Sequence, residues 1–307
     1  MISIFDFFQD LGNPALAFLP KALIISVISA LLCAVVGVHV VLRGMAFIGD
    51  AVAHAVFPGL AVAFVMGGSL LLGGAVGGIA IAIAVALFSQ NRRIKEDTLI
   101  GIFFAAAFAA GLVIISRSNG YSASLTSFLF GSITGVSTDD IYIAAIVAIV
   151  VLTVLWVINK ELVTVSLDRE TAKAMGLPVM ALDLILYIAV AAAVVISVRT
   201  VGNILVLALL VTPPATARLL TDKLGTMVAL AGLFGMVGSF TGIYLSWALD
   251  VPTGATIVLT VSAFFLLSWI FSPSQGLLRL VRARPAPAAE KKAPDPEETS
   301  VIPAVAP

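Results

Sequence analysis

The sequence predicts an all-α, polytopic membrane protein. Of its 307 residues, 61% are hydrophobic and only 11% are charged, whereas soluble domains contain roughly 45–50% apolar and about 25% charged residues. The mean hydropathy of +1.15 is typical of the same class. Apolar stretches of about 20 residues, the length that spans a bilayer, follow one another along most of the chain. Such spans are helical, because lipid offers an open backbone no hydrogen-bond partners.

Charged or turn-forming clusters separate these stretches into eight or nine candidate spans. The candidates cover residues 17–41, 46–66, 70–89, 97–116, 139–158, 179–198, 202–220, 226–248 and 253–271. The third is rich in glycine, and the seventh contains Pro213 and Pro214. Each proline removes a backbone donor, so we predict a helix break or kink there, either as a moving element or as a kink without a role.

The basic residues predict the orientation of the chain. If the loop with Arg92 is cytoplasmic, all of the 17 basic residues except Lys21, Arg117 and Arg199 lie on that side, as the positive-inside rule requires. We therefore expect an extracytoplasmic N-terminus at residues 1–16, a transmembrane domain at 17–278 and a disordered cytoplasmic tail at 279–307, rich in Pro, Ala, Lys and Glu. The net charge of zero argues against a nucleic-acid partner.

Asp50 and His54 form the most informative pair in the chain. They are one helical turn apart inside the second candidate span, so both project from one helix face. Ionisable residues within a membrane are costly and usually line a pathway. Carboxylate oxygen and neutral imidazole nitrogen both ligate divalent cations. We predict a metal site, completed by a second copy of the chain because two ligands are too few; a polar pair satisfied by its neighbours is the alternative.

Two further residues, His39 and Asp250, are candidates for a role in ion passage. His39 falls at a depth similar to that of Asp50 on the adjoining helix, where it is either a further metal ligand or a hydrogen-bonded structural histidine. Asp250 lies at an external turn, where it either attracts cations to the entrance or caps the turn.

The long cytoplasmic connection at residues 159–177 contains a short helix signature. Asp168 or Ser166 is suited to cap the start, and Gly176 with Pro178 to end the helix. A charged helix of this kind docks into a partner or is simply a solvated loop helix. The residues proposed for docking are Asp168, Arg169, Glu170, Ala172 and Gly176.

Several chemistries are excluded by missing motifs. The sequence has no Gly-x-x-x-x-Gly-Lys-Ser/Thr loop, so the chain does not hydrolyse ATP by that route. It also lacks a His-Glu-x-x-His helix and paired-cysteine zinc spacing. We therefore expect a conduit without a permanently bound cofactor. Its candidate roles are an ATP-driven importer subunit, an ion-coupled secondary metal transporter and a non-transporting membrane assembly subunit.

Three segments together resemble a known family. Residues 40–59, 201–220 and 249–254 are similar to motifs of bacterial ABC permeases for manganese, zinc and iron uptake, and the likeness extends from the first span to about Arg279. Gly44 departs from the pattern, because a second basic residue is usual after the arginine, and so does the proline-rich tail.

The resemblance implies a homodimeric permease in the bacterial plasma membrane that imports Mn²⁺ or Zn²⁺, with iron as a further alternative, by alternating access. It also implies cytoplasmic ATPase subunits and an extracytoplasmic metal-binding protein as partners. The metal-binding Asp and His of the family's second helix correspond to Asp50 and His54. The segment that contacts the ATPase corresponds to residues from about Asp168 to Gly176.

Overall fold

The protein is a bundle of α-helices, which confirms the all-α class. The computed structural model describes residues 4–45, 48–89, 96–116 and 135–272, and these residues contain no strand. In chain order, the helices are α1 (Ile4–Leu11), α2 (Phe18–Leu42), α3 (Ile48–Ala55), α4 (Phe57–Val65), α5 (Leu70–Phe88), α6 (Glu96–Ile115), α7 (Thr138–Val157), α8 (Asn159–Leu167), α9 (Arg169–Ala174), α10 (Val179–Val201), α11 (Asn203–Leu220), α12 (Leu224–Leu249) and α13 (Thr253–Phe271).

Every span predicted from the sequence corresponds to one or more helices of the structure. Seven described helices are long and apolar enough to cross a membrane: α2, α5, α6, α7, α10, α12 and α13. Two candidates correspond to shorter apolar stretches, Ala51–Val65 and Leu205–Leu220. The glycine-rich third candidate is the uninterrupted helix α5.

Helices α2 and α10 form the centre of the bundle. An 18-residue window of each is 67% buried, against 22–39% for the other long spans. Helix α2 packs against α7, α10, α11 and α12, while α10 also packs against α3 and α5. The outer helices are apolar on all sides, as expected of helices that face lipid. The bundle therefore has a protein-covered centre and an apolar exterior.

Glycines allow α4 and α5 to pack closely. A Cβ atom on Gly59 would lie 2.1 Å from the carbonyl oxygen of Gly73, and one on Gly77 would lie 3.1 Å from the carbonyl oxygen of Val56. Small residues at helix crossings let two backbones approach closely inside a membrane. There the hydrophobic effect does not drive helices together, so van der Waals contacts between them stabilise the packing. The glycines that made the third span uncertain in the sequence thus serve helix packing.

The N-terminal segment is helical and attached to the bundle. Phe7 of α1 is fully buried and meets the rings of Phe240 and Tyr244 edge to face, with centroids 6.0 and 5.4 Å away. The indole Nε1 of Trp247 donates a hydrogen bond of 3.0 Å to Asp10. These contacts hold α1 against the C-terminal half of α12, a position that the sequence did not predict. The predicted tail at 279–307 lies outside the described residues.

Candidate functional site

The second span consists of two short helices. Helix α3 ends at Ala55 and α4 begins at Phe57, with Pro58 in the first turn of α4. Proline has no N–H for the carbonyl four residues earlier, and its ring clashes with the preceding turn. The break is confined to Val56, whose backbone stays in the right-handed helical region and whose N–H and carbonyl remain bonded to Val52 and Leu60.

Asp50 and His54 both lie in α3, one turn apart. The imidazole of His54 is partly buried and meets two rings of α6 edge to face. Its ring centroid is 4.9 Å from that of Phe104 and 5.2 Å from that of Phe108. Edge-to-face contacts fix the plane of a ring. The imidazole is thus held in one orientation against an aromatic wall.

The same wall fixes the start of α4. The ring of Phe57 lies 5.6 Å from that of Phe108, and Gly111 makes room for it, because a Cβ on Gly111 would lie 2.4 Å from Phe57 Cδ1. Helices α3 and α4 both pack against α6. The break after His54 is therefore supported from one side by a single rigid helix.

His39 lies in a different environment. Its side chain is 2% exposed, and its Nδ1 has no hydrogen-bond partner among the described residues. It lines a cavity of about 750 Å³ whose other described lining residues belong to α2, α7, α8 and α12. The structure does not bring His39 to the aromatic wall around His54.

The described part of the chain does not by itself contain a complete set of metal ligands. Among the described residues, no group of three or more His, Cys, Asp or Glu side chains lies in a metal-binding arrangement. Divalent-metal sites in proteins usually have four or more ligands. A site built on Asp50 and His54 would need ligands from elsewhere, such as a second copy of the chain.

Helix α11 continues through Pro213 and Pro214, so the helix break expected there is not present. Pro214 has no N–H for the carbonyl of Leu210, but that carbonyl lies against α2, where its oxygen would be 1.9 Å from a Cβ on Gly37. Neighbouring helices commonly compensate for prolines inside membrane spans. Close packing with a glycine on α2 thus keeps α11 helical.

The connection at residues 159–177 contains the short helix expected from its sequence. Asp168 caps α9 by accepting a hydrogen bond of 2.9 Å from the backbone N–H of Glu170. Hydrogen bonds from Thr171 lower the pKa of Asp168, which favours the ionised cap. Gly176, with φ of +78°, ends the helix in a Schellman motif in which Leu177 N–H donates to the Ala172 carbonyl.

The residues proposed for docking do not share one face. Asp168, Glu170 and Gly176 are exposed, whereas Ala172 is fully buried. Arg169 points inward and pairs with Asp183 of α10. The exposed residues of α9 are available to a partner, and the other two attach the helix to the bundle.

Asp183 is the centre of a buried ion cluster. Its carboxylate is fully buried, Arg43 Nη1 donates to Oδ1 at 2.6 Å, and Arg169 donates to Oδ2. The Nε of Arg43 also donates to Ser166 Oγ at 3.2 Å. One carboxylate of α10 thus joins the end of α2 to the start of α9, and Arg43 adds α8 through Ser166.

Residues 15–272 match the ABC 3 transport family. The chain belongs to this family. The manganese transport system membrane protein MntC of Halalkalibacterium halodurans is 40% identical over 262 residues, which cover 85% of this chain and 90% of the relative. The chelated iron transport system membrane protein YfeC of Yersinia pestis is 36% identical over 261 residues, covering 85% and 88%. The solved structure of PsaBC from Streptococcus pneumoniae in complex with Fab has a TM-score of 0.80 and 35% identity, and covers 91% of this chain and 100% of that chain.

Asp250 has a clear structural role in this member of the ABC 3 family. It ends α12 with φ of 54°, and among the described residues it is the non-glycine residue with positive φ. Aspartate adopts this left-handed conformation more readily than most residues. Ser246 Oγ closes the turn with a hydrogen bond of 2.6 Å to the Val251 carbonyl. The structure thus shows the turn that was one of the two alternatives for Asp250, and its role at the entrance stays a prediction.

Asp183 is the residue of this ABC 3 protein that our sequence analysis missed. Its signal was present, because it is an acidic residue inside the apolar span 179–198, and such residues usually have a partner. The partners, Arg43 and Arg169, are 140 and 14 residues away in the chain. No local sequence signal indicates that Asp183 pairs with these two arginines.

Proposed function

We propose that this chain is the membrane-spanning subunit of an ATP-driven importer of a divalent transition metal, with manganese as the preferred ion. Membership of the ABC 3 family supports transport coupled to ATP hydrolysis in a separate subunit, because the chain has no phosphate-binding loop of its own. The named functions of the relatives, manganese transport for MntC and chelated iron transport for YfeC, favour a transition metal as the transported ion.

The observation that carries the proposal is the pair of potential metal ligands beside the helix junction of the second span. Asp50 and His54 are one turn apart in α3, directly before the break, and the His54 ring is held by Phe104 and Phe108. A preoriented imidazole loses little freedom when it ligates an ion. A carboxylate and a neutral imidazole suit Mn²⁺, Zn²⁺ and Fe²⁺ alike.

The proposal includes three protein partners. A second copy of the chain doubles the ligand set to two carboxylates and two imidazoles across a twofold axis. A cytoplasmic ATPase subunit docks on the exposed residues of α9, and an extracytoplasmic metal-binding protein delivers the ion to the opposite side. This places α1 and Asp250 outside, α9 inside and the C-terminus in the cytoplasm.

The test is metal uptake into vesicles that contain the permease with its ATPase subunit and are supplied with the extracytoplasmic metal-binding protein. Asp50→Ala and His54→Ala are each expected to reduce Mn²⁺ uptake to background while the protein stays in the membrane. His39→Ala is the matched control, because it removes the other histidine of the chain, which lines a cavity whose described lining does not include His54. Normal uptake by the Asp50 and His54 variants would refute the site.

Two further arms of the experiment address the remaining alternatives. Uptake that continues without ATP would favour an ion-coupled secondary transporter, and absence of uptake under all conditions would favour an assembly subunit. Competition by Zn²⁺ and Fe²⁺ against Mn²⁺ ranks the transported ions.

A further inference from the structure

The buried ion cluster links the cytoplasmic helix to the segment that precedes the proposed metal ligands. Arg43 is the residue directly after α2, and Arg169 is the first residue of α9. Asp183 bonds to both. A displacement of α9 therefore acts on the end of α2 through a single carboxylate.

Helix α10 also holds the chain beyond Arg43. Tyr187 follows Asp183 by one helical turn, is fully buried, and lies with its hydroxyl 3.8 Å from the Sδ of Met45. Gly44, between Arg43 and Met45, has φ of +69°. One face of α10 thus holds both sides of the turn that leads from α2 towards α3.

The two arginines are not equivalent. The Arg43 side chain is 5% exposed and that of Arg169 is 28% exposed. Arg43 is also held by Ser166 on α8. The Arg169 bond is therefore the one that can open to water, whereas the Arg43 bond stays within the bundle.

The cluster is also incompletely satisfied. Two guanidinium groups share one carboxylate, and the buried Nη2 of Arg43 has no hydrogen-bond partner among the described residues. A buried charge that loses its partner is strongly unfavourable, so Arg43 and Asp183 stay paired when Arg169 leaves. Release of Arg169 would free Oδ2 of Asp183 for the Arg43 Nη2, which has no partner among the described residues. This change of partners on Arg43 is the switch between two arrangements that coupling between sites requires.

We propose that Asp183 is a positioning residue that couples the ATPase-docking helix α9 to the metal-bearing helix α3. In one state Asp183 binds both arginines. In the other state, movement of α9 withdraws Arg169, and the Arg43–Met45 turn and α3 shift with it. This inference rests on the proposed function, because it requires an ATPase subunit on α9.

The experiment measures Mn²⁺ uptake and ATP hydrolysis together in vesicles that contain the assembled complex. Asp183→Asn and Arg169→Gln are each expected to lower the amount of Mn²⁺ taken up per ATP hydrolysed by about fivefold or more, the range of a typical coupling between sites. Hydrolysis itself continues, and the ATPase subunit still copurifies. Arg169→Lys keeps the charge and is expected to recover part of the ratio.

Arg218→Gln is the matched control. Arg218 pairs with Asp222 on an exposed surface near the cytoplasmic end of α11, at 3.2 Å, with side chains 48% and 92% exposed. The substitution removes the same charge from the same side of the membrane without touching the cluster. Its uptake per ATP is expected to equal that of the wild type.

The outcomes separate the two proposals. If the wild-type complex shows no ATP-dependent uptake, the proposed function fails. If it transports but the Asp183 and Arg169 variants keep the wild-type ratio, the coupling inference alone is overturned. A parallel fall of uptake and hydrolysis would also overturn it, since a purely structural cluster lowers both. If Asp183→Asn does not accumulate, Arg169→Gln decides the question, because its partly exposed side chain is easier to replace.

Discussion

Replacement of Gly37 by alanine is expected to separate α2 from α11. A Cβ at this position would lie 1.9 Å from the Leu210 carbonyl oxygen, 2.9 Å from the carbonyl carbon and 2.9 Å from Pro214 Cγ. The first two obstacles belong to the backbone, so no rotation of a side chain removes them. The helices themselves must move.

The size of the effect follows from these distances. Carbon–oxygen contacts between helices are about 3.3–3.6 Å long, so the methyl group requires a local displacement of about 1.5 Å. Overpacking of this kind typically costs about 1–3 kcal/mol of unfolding free energy. The higher helix propensity of alanine offsets about 0.5–1 kcal/mol of this loss. A net loss remains, and the Leu210 carbonyl also loses its close contact opposite Pro214.

The matched control is Gly101→Ala in α6, because a Cβ there meets nothing within 4 Å. The control is expected to be neutral or stabilising by about 0.5–1 kcal/mol. Reversible unfolding of the purified protein in mixed micelles measures both variants. Equal stability of the two variants would refute the claim that the α2–α11 contact depends on the absence of a side chain at Gly37.

Three further results are expected. Trp247→Phe removes the hydrogen bond to Asp10 and should lower the unfolding free energy by about 1 kcal/mol. Wild-type stability in the same unfolding assay would show that this bond does not hold α1. Asp250→Gly should keep or raise the unfolding free energy, while Asp250→Val should lower it by about 1 kcal/mol, because only valine is strained in the left-handed turn. Mn²⁺ uptake by Asp250→Asn at the wild-type rate would support the role in the turn over a role at the entrance. Phe108→Ala should raise the KM for Mn²⁺ uptake, since it removes one of the rings that orient His54, and an unchanged KM would argue against a preoriented imidazole.

The positions of the spans could be predicted because they depend on local composition. An apolar stretch must close its own backbone hydrogen bonds inside lipid, so its length and its charged borders nearly define the helix. The same holds for α9, whose cap at Asp168 and stop at Gly176 are local signals. The break in the second span has a local signal as well, Pro58, whereas a break was expected only at Pro213 and Pro214. The break is not present in α11, because the effect of a proline depends on the helix next to it, and the kink that was the alternative stays a prediction.

The sequence by itself determined the all-α class, the approximate limits of the helices and the Asp50–His54 pair, since each follows from neighbours within a few turns. Tertiary structure alone decided that His39 and His54 lie in different surroundings, that Gly37 faces the Leu210 carbonyl, and that Asp183 joins two arginines. These contacts bring together residues from different spans. Their partners are chosen by how the helices pack, and packing inside a membrane is set by the shapes of small side chains rather than by any periodic signal along the chain.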